Sequence, residues 1–153
     1  MKTLWNKVID MPPSWLLIFM GAVWLQSRWW NPLGFGGAVP FWLGWALILG
    51  ALAFGGAAIL QFRRHRTSVI PRNTPSAIIT DGPFALSRNP IYLADALILL
   101  GFSLIQGSVI GILSVGVFMA LIRARFIDGE EAGLKAEFPE EFAAWAARTR
   151  RWL

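Results

Sequence analysis

The length of its uncharged apolar segments is the feature that most constrains what this chain can fold into. Residues 39–60 carry no charge, and residues 91–122 carry only one, that of Asp95. A helix crosses the hydrocarbon core of a bilayer with about 20 such residues. Hydrophobic residues make up 56% of the chain and charged residues 15%, against roughly 45–50% and about 25% in average soluble domains. These observations predict an all-α integral membrane protein.

The second of these segments is too long for one span. As a single helix it would measure about 48 Å at 1.5 Å per residue, whereas the hydrocarbon core is about 30 Å thick. The sequence Gln106-Gly107-Ser108 interrupts it near the middle. We therefore predict that spans three and four form a helical hairpin, residues 90–105 and 108–123, whose helices approach closely at Gly107, Gly111 and Gly116.

Two further spans precede the hairpin. Residues 39–60 form span two, and residues 13–27 form a shorter span one, followed by Trp29 and Trp30 at the membrane interface. Lysines before span one also fit a signal peptide, but no small-x-small cleavage pattern follows. We therefore interpret it as a retained span and not as the leader of a secreted or periplasmic protein.

The basic residues provide a test of the count of four transmembrane helices. With four spans, 13 of the 14 lysines and arginines lie on one side of the membrane, and only Arg28 lies on the other. Because cytoplasmic loops carry an excess of lysine and arginine, both termini are expected in the cytoplasm. The expected location is the bacterial inner membrane.

The tail, residues 128–153, differs in composition from the rest. Its glutamates alternate with four apolar residues at spacings of three and four, which places those residues on one helical stripe: Leu134, Phe138, Phe142 and Trp145. The pattern predicts an amphipathic cytoplasmic helix, broken near Pro139. Such a helix either lies on the membrane face or folds back over the loop between spans two and three. We expect residues 1–153 to form a single domain.

Composition also argues against several classes of function. The chain has no cysteine and one histidine, His65, which excludes disulfides and thiolate sites, and no metal centre is expected. The net charge of +5 and the pI of about 10.8 could indicate a nucleic-acid-binding protein. The basic residues, however, lie between apolar segments, where they orient the chain in the membrane. No nucleic-acid partner is expected.

Polar residues concentrate where span three begins. The stretch TDGPFALSRNP, residues 80–90, is turn-rich, and non-helical backbone at membrane depth survives only when it is buried in protein or faces a cavity. Each polar group here and in the tail has a simple structural interpretation. Arg88 could anchor to lipid phosphates and Asn89 could cap a helix. Tyr92 could be an interfacial aromatic residue, and Glu130-Glu131 an acidic pair in the first turn of a helix.

Asp95 is harder to explain in structural terms. A carboxylate inside a span costs several kcal/mol unless it is paired, hydrated or protonated, so it is a candidate for function. Asp95 lies about one helical turn from the predicted boundary, where water can reach it. It is therefore either a functional group or a hydrogen-bonding group of the helix bundle.

Two stretches resemble a known family. GPFALSRNPIYLADALILLG, residues 82–101, is similar to the signature of the membrane methyltransferases that include isoprenylcysteine carboxyl methyltransferases and phospholipid (phosphatidylethanolamine) N-methyltransferases. That signature is a glycine, an aromatic residue and then Arg-His/Asn-Pro-x-Tyr. EEAGLKAEFPEEFAAW, residues 130–145, resembles their second motif, with Phe142 in place of the usual tyrosine. The resemblance covers residues 76–145, while spans one and two carry no motif.

The resemblance implies methyl transfer from S-adenosylmethionine to a lipid or other apolar acceptor at the cytoplasmic membrane face, with residues 76–145 as the catalytic part. Arg125 is out of register with the substrate-contacting arginine of the prenylcysteine enzymes. A phospholipid amine or a small apolar molecule is therefore favoured over a prenylated protein as acceptor. Carried over by position, the implied cofactor-binding residues are Ser76, Ala77, Ile78, Ile79, Phe84, Asn89, Pro90, Ile91, Tyr92, Glu130 and Glu131.

Arg88 and Asp95 are the predicted catalytic residues. Arg88 would stabilise the acidic end of the site, and Asp95 or Glu131 would take the proton that an amine acceptor loses. The alternative is a non-catalytic small membrane protein, such as a transporter subunit or an assembly factor. In that case Arg88 and Glu131 serve topology and packing, and Asp95 relays protons or ions. Binding of S-adenosylmethionine discriminates between the two functions.

Overall fold

A computed structural model of the protein describes residues 10–65 and 77–153. Ser76 of the expected cofactor site, and several of the basic residues used to predict topology, lie outside these ranges. In the described residues all regular structure is helical, apart from one isolated bridge between Gly34 and Ser108. The helices are α1 Pro12–Trp29, α2 Ala38–Arg64, α3 Pro83–Leu86, α4 Pro90–Ile105, α5 Val109–Ile122, a π-helical turn Arg123–Ile127, α6 Asp128–Glu137 and α7 Pro139–Arg148.

The centre of the bundle is α4, which packs against α1, α2 and α5. One face of α4 packs against α1, α5 and the π-helical turn, and together they form the first core cluster. The buried members of that cluster are Leu16, Val23, Tyr92, Ala96, Leu99, Phe118, Ile122, Phe126 and Ile127. The most extensive helix contact is that of α4 with α2. Because Tyr92 lies in the first turn of α4, this core reaches directly to the polar turn that precedes the helix.

Two glycines bring the backbones of α2 and α4 together. A Cβ atom on Gly44 would lie 2.5 Å from the carbonyl oxygen of Gly101, and one on Gly101 would lie 2.6 Å from that of Gly44. Close backbone approach through small residues is a common way to pack membrane helices. From the sequence, this role was predicted for the glycines of the hairpin. That is wrong for Gly116, which has no atom near its would-be Cβ, although Gly111 does contact Ser103 and Val23.

The hairpin turn lies where the sequence places it. Gly107 adopts a positive φ of 60° between α4 and α5, and Ser108 caps α5 by accepting a hydrogen bond from the Gly111 N–H at 2.9 Å. The loop after α1 is fastened to this turn, because Phe35 N–H and Asn31 Nδ2 both donate to the carbonyl of Gly107. The end of the bundle opposite the polar turn is therefore closed by hydrogen bonds.

Among the described residues, two helices are long and apolar enough to cross a membrane. One is Ala38–Arg64, and the other runs without a break from Val109 to Glu137 through the π-helical turn. The apolar helix α4 has 16 residues and is shorter. From the sequence, we expected the fourth span to end near residue 123 and a separate tail helix to follow it. In the structure the tail continues from α5 and first breaks at Phe138, before Pro139.

The contact between α2 and α4 leads to a first prediction. Gly44→Ala places a methyl group against the backbone of α4, so the helices must separate, and we expect a loss of about 1–3 kcal/mol of unfolding free energy. The matched control is Gly50→Ala in the same helix, where no atom lies within 4 Å of the would-be Cβ. Reversible unfolding in detergent measures both variants. Equal stability of the two would contradict this packing.

Candidate functional site

The polar turn before α4 is built around Gly82, whose φ is +57°. A Cβ atom at this position would lie 2.5 Å from Nε2 of Gln61, in the last turns of α2. The backbone conformation therefore requires glycine here, and a side chain would also displace the end of the Gln61 side chain. Pro83 then begins the short helix α3, which ends at Leu86.

Asn89 occupies the N-cap position of α4, but its side chain does not cap the helix. Its Nδ2 donates instead to the carbonyl oxygen of Arg151 at 3.1 Å. The hydroxyl of Ser87 donates to the same oxygen at 3.3 Å, and the N–H of Arg88 donates to the carbonyl of Arg150 at 2.9 Å. The turn thus binds the backbone of a segment about sixty residues away along the chain.

An ion-pair cluster lies beside this turn. Oε1 of Glu131 accepts from Nη2 of Arg88 at 3.2 Å, and both Glu131 oxygens are bound by Arg151, at 3.2 Å from Nε and 2.6 Å from Nη2. Arg151 also reaches Asp128 at 3.1 Å. The Glu131 side chain is 12% exposed and that of Arg88 14%. Bidentate, charge-assisted contacts of this kind hold groups in a fixed geometry.

The hydrogen bonds to Glu131 raise the pKa of the Arg151 guanidinium above its ordinary value. The group therefore stays charged over the whole physiological pH range. Arg88 is further held by the ring of Phe142, whose centroid lies 5.8 Å from the guanidinium carbon.

Glu130 is held by the first turn of α4. The hydroxyl of Tyr92 donates to Oε1 of Glu130 at 2.8 Å, and the Tyr92 ring packs 6.3 Å from that of Phe126. Each member of the acidic pair therefore contacts a different residue of the 88–92 stretch. The two stretches that carry the family resemblance meet at one corner of the bundle.

The π-helical turn explains how both glutamates can face this corner. The N–H of Asp128 bonds to the carbonyl of Arg123, five residues back, and Phe126 and Ile127 are both buried as a result. One extra residue in a turn rotates the helix that follows by about 100°. The inward face of the helix then continues from Ile127 to Glu130 and Glu131. In a regular helix these two glutamates would point away from the corner.

A second core cluster lies on the other side of the turn. Its buried members are Ala58, Ile79, Phe84 and Trp145. Nε1 of Trp145 donates to the carbonyl of Phe84 at 2.9 Å, and the two rings pack 6.5 Å apart. Helix α7 therefore folds back over the turn, one of the two arrangements that the sequence left open.

A model of the phospholipid methyltransferase family matches residues 39–141 of this chain. The chain belongs to that family. No curated protein and no solved structure matches it. The match runs from α2 into α7, so it includes both the polar turn and the acidic pair. The segment that binds the turn through Arg150 and Arg151 lies beyond it.

The predicted site residues that lie within the described ranges fall into three groups. Arg88, Asn89, Tyr92 and both glutamates are brought together. The apolar ones pack nearby: Phe84 and Ile79 are buried in the second cluster, Ile78 and Ile91 pack against it, Pro90 is buried at the start of α4, and Ala77 is half-buried. Asp95 is not joined to the cluster, since no hydrogen bond or ion pair links it to a described residue.

Three residues that contact the site were missed by sequence reasoning. Ser87 accepts a hydrogen bond from the Asn89 N–H at 3.1 Å, a serine turn that the spacing Ser-x-Asn could have indicated. Thr149 and Arg151 carry no comparable signal. Arg151 was counted only as a charge that orients the protein in the membrane, because its partners become neighbours only in the folded chain.

The ion-pair cluster gives a second prediction. Glu131→Gln keeps the shape of the side chain but leaves Arg88 and Arg151 without their carboxylate, and partly buried unpaired charges are costly. We expect a loss of about 1–3 kcal/mol of unfolding free energy. Glu137→Gln, at an exposed position of α6, is the matched control and should change stability by less than about 0.5 kcal/mol. Similar values for both would show that the cluster does not support the fold.

Proposed function

We propose that this protein is an integral membrane methyltransferase that transfers a methyl group from S-adenosylmethionine to a lipid or other apolar acceptor at the cytoplasmic membrane face. The observation that carries the proposal is the meeting of the 88–92 turn with Glu130 and Glu131. Family membership supports methyl transfer and a lipid acceptor. Residues 77–145 with the adjoining tail would form the catalytic part of a single domain.

The charges at the corner suit the zwitterionic methionyl part of this cofactor. Nε of Arg88 is buried and has no hydrogen-bond partner within the described structure, although buried donors are normally paired. Arg88 contacts Glu131 through Nη2, so its Nε–H would be available to donate to the carboxylate of the cofactor. Glu130, held by Tyr92, would take the ammonium. The residues present therefore fit the cofactor.

The apolar half of the corner suits the adenosyl part. Phe84 packs edge to face with Phe62, their centroids 5.5 Å apart, and lies beneath Trp145. On the other flank of the turn, Oε1 of Gln61 is a second buried polar atom without a partner in the described residues. An aromatic wall with one unpaired amide could hold a purine ring. Ala77, Ile78, Ile79, Pro90 and Ile91 would complete the wall.

Bound in this way, the cofactor would supply a methyl group carried on a cationic sulfur. The protein's part is to align the acceptor with that group and to exclude water. The tail supports the second task, because α7 covers the turn and buries Trp145. Arg88 would act by holding Glu131 and the cofactor carboxylate in place.

Asp95 is proposed to accept the proton of an amine acceptor. It follows Tyr92 by one helical turn on α4 and is half-buried. Because no described residue forms a hydrogen bond or ion pair with it, its oxygens would be available to an acceptor that enters from the apolar side. An anionic acceptor would not need this step.

The membrane topology is part of the proposal. Helices α1, α2, α4 and α5 would be the four spans, with both ends of the chain and the corner at the cytoplasmic face. Arg63, Arg64 and Arg88 lie at that end, while the Trp29-Trp30 pair lies at the other. This distribution follows the positive-inside rule. The bacterial inner membrane remains the expected location.

The third prediction concerns cofactor binding. The purified protein should bind S-adenosylmethionine, and Asn89→Ala and Glu131→Ala should each raise its Kd tenfold or more, because each removes a group that holds the corner. Isothermal calorimetry in detergent measures this. Asn31→Ala is the matched control, since Asn31 also donates to a backbone carbonyl but at the opposite end of the bundle. Its Kd should equal that of the wild type.

Absence of binding by well-folded wild-type protein would contradict the enzyme proposal. It would favour the alternative function, a non-catalytic membrane protein such as a transporter subunit or an assembly factor. Equal loss of affinity in the Asn31 and Asn89 variants would instead mean that the affinity follows overall stability. The corner would then have no specific role.

The fourth prediction separates binding from proton transfer. Asp95→Asn should leave the Kd for S-adenosylmethionine unchanged and lower the rate of methyl transfer by roughly 100-fold, the lower end of the range for general bases. The measurement follows radiolabelled methyl groups from the donor into vesicles that contain phosphatidylethanolamine. A variant with the full rate would make Asp95 a polar group of the bundle only.

A further inference from the structure

Arg151 contacts both halves of the corner at once. Its carbonyl oxygen accepts from Asn89 Nδ2 and from the Ser87 hydroxyl, while its guanidinium binds both oxygens of Glu131 and reaches Asp128. One residue thus links the turn before α4 to the start of α6 through hydrogen bonds and ion pairs. It lies ten residues beyond the part of the chain that the family model matches.

We propose that Arg151 is a positioning residue of the methyltransferase site and that residues 149–153 form one of its walls. This inference rests on the proposed function and extends it. The guanidinium fixes the direction of the Glu131 carboxylate, and the carbonyl fixes that of the Asn89 amide. Asn89 and Glu131 lie on different helices, so their relative position depends on a residue that joins them.

The same contacts could also describe a removable latch in which Arg151 competes with the cofactor for Glu131. The anchoring of the segment on both sides argues against a latch. Thr149 is 4% exposed and donates to the carbonyl of Ala85 at 3.4 Å, and Trp152 packs against the first core cluster. Movement of Arg151 away from Glu131 would break the contacts of Thr149 and Trp152 and leave Glu131 paired with Arg88 alone. The segment is therefore built into the fold.

Lysine would not replace this arginine fully. Arg151 makes two parallel contacts to Glu131 and a third to Asp128, a fork that only the planar guanidinium provides. Lysine keeps the charge and the backbone carbonyl but offers a single point of contact. A graded loss from arginine to lysine to alanine is the signature of positioning, whereas simple charge attraction would be satisfied by lysine.

The test compares the Kd for S-adenosylmethionine of Arg151→Ala, Arg151→Lys and Arg148→Ala in the full chain. Arg148 is exposed in the last turn of α7, so its loss removes the same charge from the same region. We expect Arg151→Ala to bind at least tenfold more weakly, Arg151→Lys about threefold more weakly, and Arg148→Ala within twofold of wild type. The thermal unfolding midpoint of each variant, measured in parallel, reports folding separately from binding.

A double variant shows whether Arg151 acts through Glu131. If it does, Glu131→Ala combined with Arg151→Ala binds no more weakly than Glu131→Ala alone. Additive losses would overturn the positioning role. So would a folded Arg151→Ala protein with the wild-type Kd, and tighter binding by that variant would establish the latch. If Arg151→Ala does not fold, wild-type affinity of Arg151→Lys would overturn it equally.

These failures can be told apart from failure of the proposed function. Wild-type protein that binds no S-adenosylmethionine overturns the cofactor assignment and this inference with it. Wild-type protein that binds, together with unaffected Arg151 variants, overturns this inference alone.

Discussion

The Glu131 carboxylate and the two arginines that share it are the interaction on which the rest of this structure depends. Arg88 comes from the turn before α4, Glu131 from the start of α6 and Arg151 from the end of the described chain. Apolar packing could hold these three elements near one another, but it does not fix the orientation of their side chains. Charge-assisted hydrogen bonds do fix it. Because the cluster is only partly exposed, solvent weakens these contacts less than it would on the open surface.

The cluster in turn depends on a departure from regular helix geometry. The π-helical turn Arg123–Ile127 lets Phe126 and Ile127 both enter the core and so turns Glu130 and Glu131 toward α4. Such turns are rare overall, and those that do occur often lie at functional sites. The hydrogen bond of Tyr92 to Glu130 and the ion pair of Arg88 with Glu131 are made in this register. The apolar helix α5 and the two glutamates of the corner thus belong to one continuous element, 109–137.

What the sequence could predict follows from the range of the interactions involved. The bounds of α4 and the start of α5 were predicted to within a residue, because Pro90 and the Gln106–Ser108 turn are local signals. Helix α2 was predicted to end at residue 60 but continues to Arg64, since hydropathy detects the apolar part of a helix and not its charged last turn. The meeting of the two motifs was expected from the four-span topology, which brings both to the cytoplasmic face, and from the family resemblance. The π-helical turn and the role of Arg151 depend on contacts between distant residues, which a single sequence does not reveal.

The glycine contact between α2 and α4 has a consequence for how a lipid could arrive. With the backbones touching at Gly44 and Gly101, the groove between these helices is too narrow there for a hydrocarbon chain. An acceptor approaching from the bilayer would have to come along another flank of α4. The side of α4 that faces α1 and α5 remains, where the contacts are made largely by side chains of the first core cluster. The close contact between α2 and α4 would thus be the rigid side of the bundle, and a lipid acceptor would enter from the opposite side.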